Sequence, residues 1–81
     1  MKLPRAEGGK ELAALLDRYG YKVTRQTGSH MRLTSTSKGF EHHITIPSHK
    51  PLKVGTLDNI VNEITTYLEI ERQKLVQELF G

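Results

Sequence analysis

The chain has no cysteine and no tryptophan. The first absence excludes a disulfide framework and thiolate-bound zinc, so a metal would have to rest on histidine and carboxylate alone, and it fits a reducing cytoplasm. The second absence, with only 36% apolar residues in a chain of 81, leaves few large side chains to fill a core. A domain of this size buries only ~60–65% of the surface its unfolded chain exposes. A pocket able to engulf a substrate is therefore not expected, and whatever the protein acts on should be met at a surface. Long apolar runs are missing as well, and Met1 to Arg5 lacks the apolar stretch of a signal peptide. The expectation is one soluble, cytoplasmic domain spanning residues 1–81.

Acid is scarce in one part of the chain. Between Arg18 and Lys53 stand seven basic residues (Arg18, Lys22, Arg25, Arg32, Lys38, Lys50, Lys53) against one acid, Glu41, a balance of +6. From Val54 onward two bases, Arg72 and Lys74, face five acids (Asp58, Glu63, Glu69, Glu71, Glu78), a balance of −3. The split points to a polyanion-facing surface in the middle of the chain. The alternative is a scatter of solvated basic side chains.

Leu12, Ala13, Leu15, Leu16 and Tyr19 recur at helical spacing, and Gly20 stands where a left-handed C-cap belongs. This predicts a first helix over about Gly9 to Tyr19, its start weakly specified by Gly8 and Gly9, which supply backbone freedom and no side-chain cap. Three alternating segments follow, YKVTRQ, HMRLTST and FEHHITIP, separated by Thr27-Gly28-Ser29 and Lys38-Gly39. They read as an antiparallel meander. Alternation puts Tyr21, Val23, Met31, Leu33, Ile44 and Ile46 on one face. Lys22, Thr24, Gln26, His30, Arg32, Thr34, His43 and Thr45 fall on the other.

The helical period returns with Leu57, Ile60, Val61, Ile64 and Leu68, with Thr56 and Asn59 as an imperfect capping box. ERQKLVQELF then predicts a separate short third helix, which should fold back over the apolar sheet face through Leu75, Leu79 and Phe80. The fold class is α+β: an α-β-β-β-α core over 1–69 with helices on one sheet face, plus a C-terminal helical extension over 70–81. This is the order of double-stranded-RNA-binding domains, in which basic residues before the second helix contact phosphates. Lys50 and Lys53 take that place, beside the helix's unpaired N–H groups.

The segments KLPR, GKEL, YGYKVTRQTGSHMRL and ITIPSHKPLKVGTL are similar to those of the HicA (YcfA-like) mRNA interferase toxins of bacterial toxin–antitoxin pairs. The resemblance is most specific at Gly28-Ser29-His30 and at the stretch from Pro47-x-His49 to Gly55-Thr56-Leu57. It implies an endoribonuclease that needs no cofactor, with RNA as substrate and a cognate HicB-like antitoxin as partner. It also implies that His30 is the catalytic residue. Three features depart from the family pattern: an extra residue at Gly8-Gly9, Ser37-Lys38-Gly39 in place of a Pro-Asp-Gly-like turn, and the C-terminal extension.

The chemistry agrees with a histidine at that place. RNA can be cut without metal if its own 2′-hydroxyl attacks the adjacent phosphorus, which needs a base to take one proton and an acid to return another, and histidine can serve as either near neutral pH. Gly28 permits a tight turn that brings the substrate backbone close, Ser29 can donate to phosphate, and the Arg32 fork can hold the scissile phosphate. Lys22, His49, Lys50 and Lys53 complete the expected substrate-binding set, His49 by RNA contact or by orienting its loop. His42 belongs to the apolar side as a partly buried, hydrogen-bonded residue, whereas His43 points outward as a solvated strand residue. No i, i+4 histidine pair is present and adjacent strand histidines diverge, so no metal site is expected. A non-catalytic RNA-binding module and an interaction subunit are the other classes the sequence leaves open.

Overall fold

The computed structural model describes residues 8–48 and 52–80. Helix α1 (Gly9–Leu16) tightens into a 3₁₀ turn, Asp17–Tyr19, and stops at Gly20, whose φ of +85° is the left-handed conformation that position demands. Strands β1 (Lys22–Thr27), β2 (His30–Ser35) and β3 (His42–Pro47) follow, then helices α2 (Val54–Leu68) and α3 (Arg72–Phe80). The sheet is an open antiparallel meander in the order β1-β2-β3. Both helices α1 and α2 lie on its apolar face, where Leu12, Leu16, Tyr21, Met31, Leu33, Ile44, Ile46, Leu57, Ile60, Val61 and Ile64 form one core.

Gly9 has a harder task than backbone freedom. A Cβ there would stand 1.8 Å from the Pro47 carbonyl oxygen, so glycine is what lets the start of α1 meet the end of β3. The same Pro47–Ser48 backbone is tied to the first hairpin, because Ser48 N–H donates to the Ser29 carbonyl at 2.7 Å. The turn that carries His30 is thereby fastened to both α1 and β3.

Two expectations are corrected. Helix α2 begins at Val54 with Lys53 as its N-cap and no side-chain cap bond, so the Thr56–Asn59 pair lies inside the helix. Alternation also fails in β1. The pairing runs Lys22↔Thr34 and Val23↔Leu33, then resumes as Arg25↔Arg32, Gln26↔Met31 and Thr27↔His30, leaving Thr24 as the extra residue of a bulge. Directly opposed residues share a face, so Gln26 sits on the helix side with Met31 while Arg25 and Thr27 sit on the polar side. Thr24 stays polar-side too, its Oγ1 2.9 Å from that of Thr34. Val23 keeps the expected side but is 48% exposed, on an edge strand that α1 only partly covers.

The separate third helix is present. Glu69 takes a left-handed φ of 58°, Ile70 N–H closes on the Thr65 carbonyl, and the chain turns. Arg72 then binds back to Asp58 and Asn62. Helix α3 packs chiefly on α2, and Glu78 reaches Tyr19 and Arg18 at the end of the first helical segment. Leu75, Val76 and Leu79 are buried in the common core, with Phe80 only partly buried. No helix among the described residues is long and apolar enough to cross a membrane.

Candidate active site

The polar face of the sheet is assembled by register. His30 opens β2, opposite Thr27 on one side and Pro47 on the other, and Arg32 is opposite Arg25 and Thr45. Gly28 turns the hairpin with φ +49°, and a Cβ built there meets nothing within 4 Å, so the approach to the turn is open. His30 is exposed, and its Nδ1 lies 3.3 Å from the Ser29 hydroxyl. No carboxylate pairs with it among the described residues. The imidazole is steered by its neighbour and otherwise offered to solvent.

Beside it stands the feature that face assignment by alternation misses. Arg25 and Arg32 face each other across β1 and β2 on the polar side, both exposed, with no ion pair to either among the described residues. Like charges directly opposed weaken a sheet. The fold gains nothing from this pair, whereas a polyanion would. The bulge at Thr24 brings Arg25 round to this side, and an isolated bulge leaves no trace in a period-two pattern.

The other sequence-predicted residues divide. Gly28, Ser29, His30 and Arg32 come together at one end of the sheet. Lys22 shares their face, but it is opposite Thr34, about 13 Å from His30 along the strand, and its ammonium is engaged by Asp17. Lys53 is exposed at the N-cap of α2, where its charge joins the first-turn N–H groups. His49 and Lys50 lie outside the described residues. His43 faces outward with its Nδ1 2.8 Å from Thr34 Oγ1 and its Nε2 3.5 Å from Glu41. It is opposite Thr34, about 13 Å from His30 along the strand, so the two histidines cannot flank one phosphate. His42 points to the helix side, as its phase requires. Its Nδ1 lies 2.8 Å from the Tyr21 hydroxyl, and burial, reinforced by Tyr67 and Glu63, pushes that phenol up so that it keeps its proton.

The family model for the HicA toxin of bacterial toxin–antitoxin systems matches residues 9–65, from the first residue of α1 into the last turns of α2. The chain belongs to the HicA toxin family. The match takes in the Gly28-Ser29-His30 turn, the bulged strand and the basic face, and it ends before α3, which this HicA chain adds to its core. Comparison with curated proteins and with solved structures gave no match.

Proposed function

We propose that this HicA-family toxin is a metal-independent endoribonuclease that meets single-stranded mRNA in the cytoplasm on its polar sheet face. His30 serves as general base or acid, and a HicB-like antitoxin neutralises the toxin by covering that face. The observation that carries the reading is the unneutralised Arg25–Arg32 pair next to an exposed histidine on an open glycine turn. In the reaction the 2′-oxygen bonds to phosphorus, the bond from phosphorus to the 5′-oxygen breaks, and the proton taken from the 2′-hydroxyl is matched by one returned to the leaving oxygen. The guanidinium groups hold the phosphate as its charge develops, and Gly28 and Ser29 let the backbone approach. Lys53, exposed at the start of α2, adds a further contact, and His49 and Lys50 complete the proposed RNA-binding set.

The test is cleavage of RNA by the purified protein in excess chelator. The expected products carry 2′,3′-cyclic phosphate and 5′-hydroxyl ends, and a 2′-deoxy substitution at the cut site should block the reaction. Dependence on added metal, or 5′-phosphate products, would overturn the proposal. A non-catalytic RNA-binding module is the second reading, favoured by the distance between the two outward histidines. It predicts tight binding with no cut in the same assay.

The arginine pair carries its own expectation. Changing Arg25 and Arg32 together to alanine should flatten the salt dependence of RNA affinity by ~0.7 log units per lost contact on single strands. An unchanged slope in filter-binding titrations would place the RNA elsewhere.

A further inference from the structure

At the end of β2 and β3 remote from His30, about 17 Å along the strand, lies an open groove of about 500 Å³ that the proposed RNA face does not use. Its walls are Phe40, His42 and Tyr67, with Glu63 and Glu69 from the end of α2 at the rim. His42 stacks on Tyr67 at 4.6 Å between centroids and 14° between planes, and Phe40 stands nearly perpendicular to Tyr67 at 5.0 Å and 83°. Tyr67 is pinned at its hydroxyl, which accepts from Lys38 N–H and donates to the Phe40 carbonyl, with the Ser35 carbonyl 3.2 Å away. The Tyr67 ring is therefore held in place. Phe40 is nevertheless 62% exposed, a large ring that the core leaves uncovered.

The charges around this wall select its occupant. Lys38 is held by Glu69 at 3.2 Å, and Arg72 is taken by Asp58 and Asn62, so neither cation neutralises Glu63. The Glu63 carboxylate at the rim, unpaired among the described residues, would repel a phosphate backbone, which disfavours a stacked RNA base despite the rings. A cation is favoured by both features, since aromatic faces attract it and a carboxylate completes it. Among cations the guanidinium fits best: it is planar, lies flat on a ring, and offers a fork of N–H donors to a carboxylate. A groove this open suits one long side chain delivered on a polypeptide better than a free small molecule, which needs most of its surface enclosed.

We propose that this groove is a docking site for an arginine side chain presented by a partner protein, held between the Phe40 ring and the Glu63 carboxylate. It lies apart from the sheet face that carries His30, so a partner can be held here while that face stays open.

The test is an NMR titration of the full chain with the peptide acetyl-Gly-Arg-Gly-amide, which does not depend on RNA cleavage. Saturable shifts are expected at the Phe40 and Tyr67 rings and at Glu63, with the His30 and Arg32 signals unmoved. Phe40→Ala and the isosteric Glu63→Gln should each weaken binding by roughly fivefold or more, as a cation–π contact or a charged partner is lost. Both side chains are exposed, and thermal melts of the variants check the fold. The neutral isostere acetyl-Gly-citrulline-Gly-amide should produce no saturable shift. Equal binding of the citrulline peptide, or no saturation at Phe40, would overturn the site. So would an oligouridine that moves Phe40 in place of the peptide, which would make the groove an RNA contact. Concentration-dependent shifts of Phe40 without peptide would assign it to a second copy of the chain.

Discussion

Replacing His30 by alanine should reduce RNA cleavage by about 10²- to 10⁴-fold, the usual contribution of an acid–base residue, while the protein stays folded. The side chain is exposed, and among the described residues its one side-chain hydrogen-bond partner is the adjacent Ser29 hydroxyl. The backbone pairing with Thr27 and Pro47 that fixes the turn does not involve the ring. Surface changes of this kind usually fall within ~0.5 kcal/mol, which for a domain of this size is a melting shift of about 2–4 °C. RNA affinity should largely persist, because the arginine pair is untouched. In cells, growth arrest on induction should disappear while the protein accumulates. Wild-type cleavage by a folded His30→Ala protein would return the histidine to an incidental turn residue. The melting curve must accompany the assay, since loss of toxicity through unfolding says nothing about chemistry.

A large effect on stability should come from outside the region that matches the family. Leu75, on α3, is fully buried in the common core. Leu75→Ala should cost about 2–5 kcal/mol through lost transfer energy and the cavity left behind. At 4–8 °C per kcal/mol in a domain this small, melting should fall by roughly 8–40 °C. Gln77→Ala, at an exposed position on the same helix, should move melting by only a few degrees. A Leu75→Ala protein that melts with the wild type would show that α3 rides on the domain rather than completing it. Removal of everything after Glu71 takes away Leu75, Val76 and Leu79 together, so that truncation should be harsher than the point change.

The parts legible in the sequence were those governed by local patterning. Leu12 to Leu16 and Leu57 to Ile64 announce their buried stripes, Gly20 its left-handed cap, and β2 and β3 alternate without a break, so His30, Arg32, His42 and His43 fall on the sides their phase requires. Resemblance over several segments added the reading of Gly28-Ser29-His30. What the pattern did not show depends on contacts between distant residues. Thr24 bulges because β1 must stay in register with β2, and nothing in YKVTRQ marks the extra residue. Gly9 reads as loose backbone until the Pro47 carbonyl is found against it. Thr56 resembles a cap by composition, yet α2 begins at Val54 behind Lys53. Phe40 reads as the start of a strand, and only the placement of Tyr67 and His42 shows that its ring is left standing in solvent beside them.

The bulge at Thr24 has an effect on the company the toxin keeps. Strand β1 is an edge of the sheet, exposed along all six residues, and a straight edge of that kind is a template on which another extended chain can add itself. The extra residue bends and twists the strand, so its outer N–H and C=O groups no longer present an even row. Lys22 and Arg25 bracket the kink with positive charge. A second toxin chain arriving at that edge would meet a broken ladder and its own sign of charge. The kink and the charge beside it thus disfavour the pairing of two copies along β1.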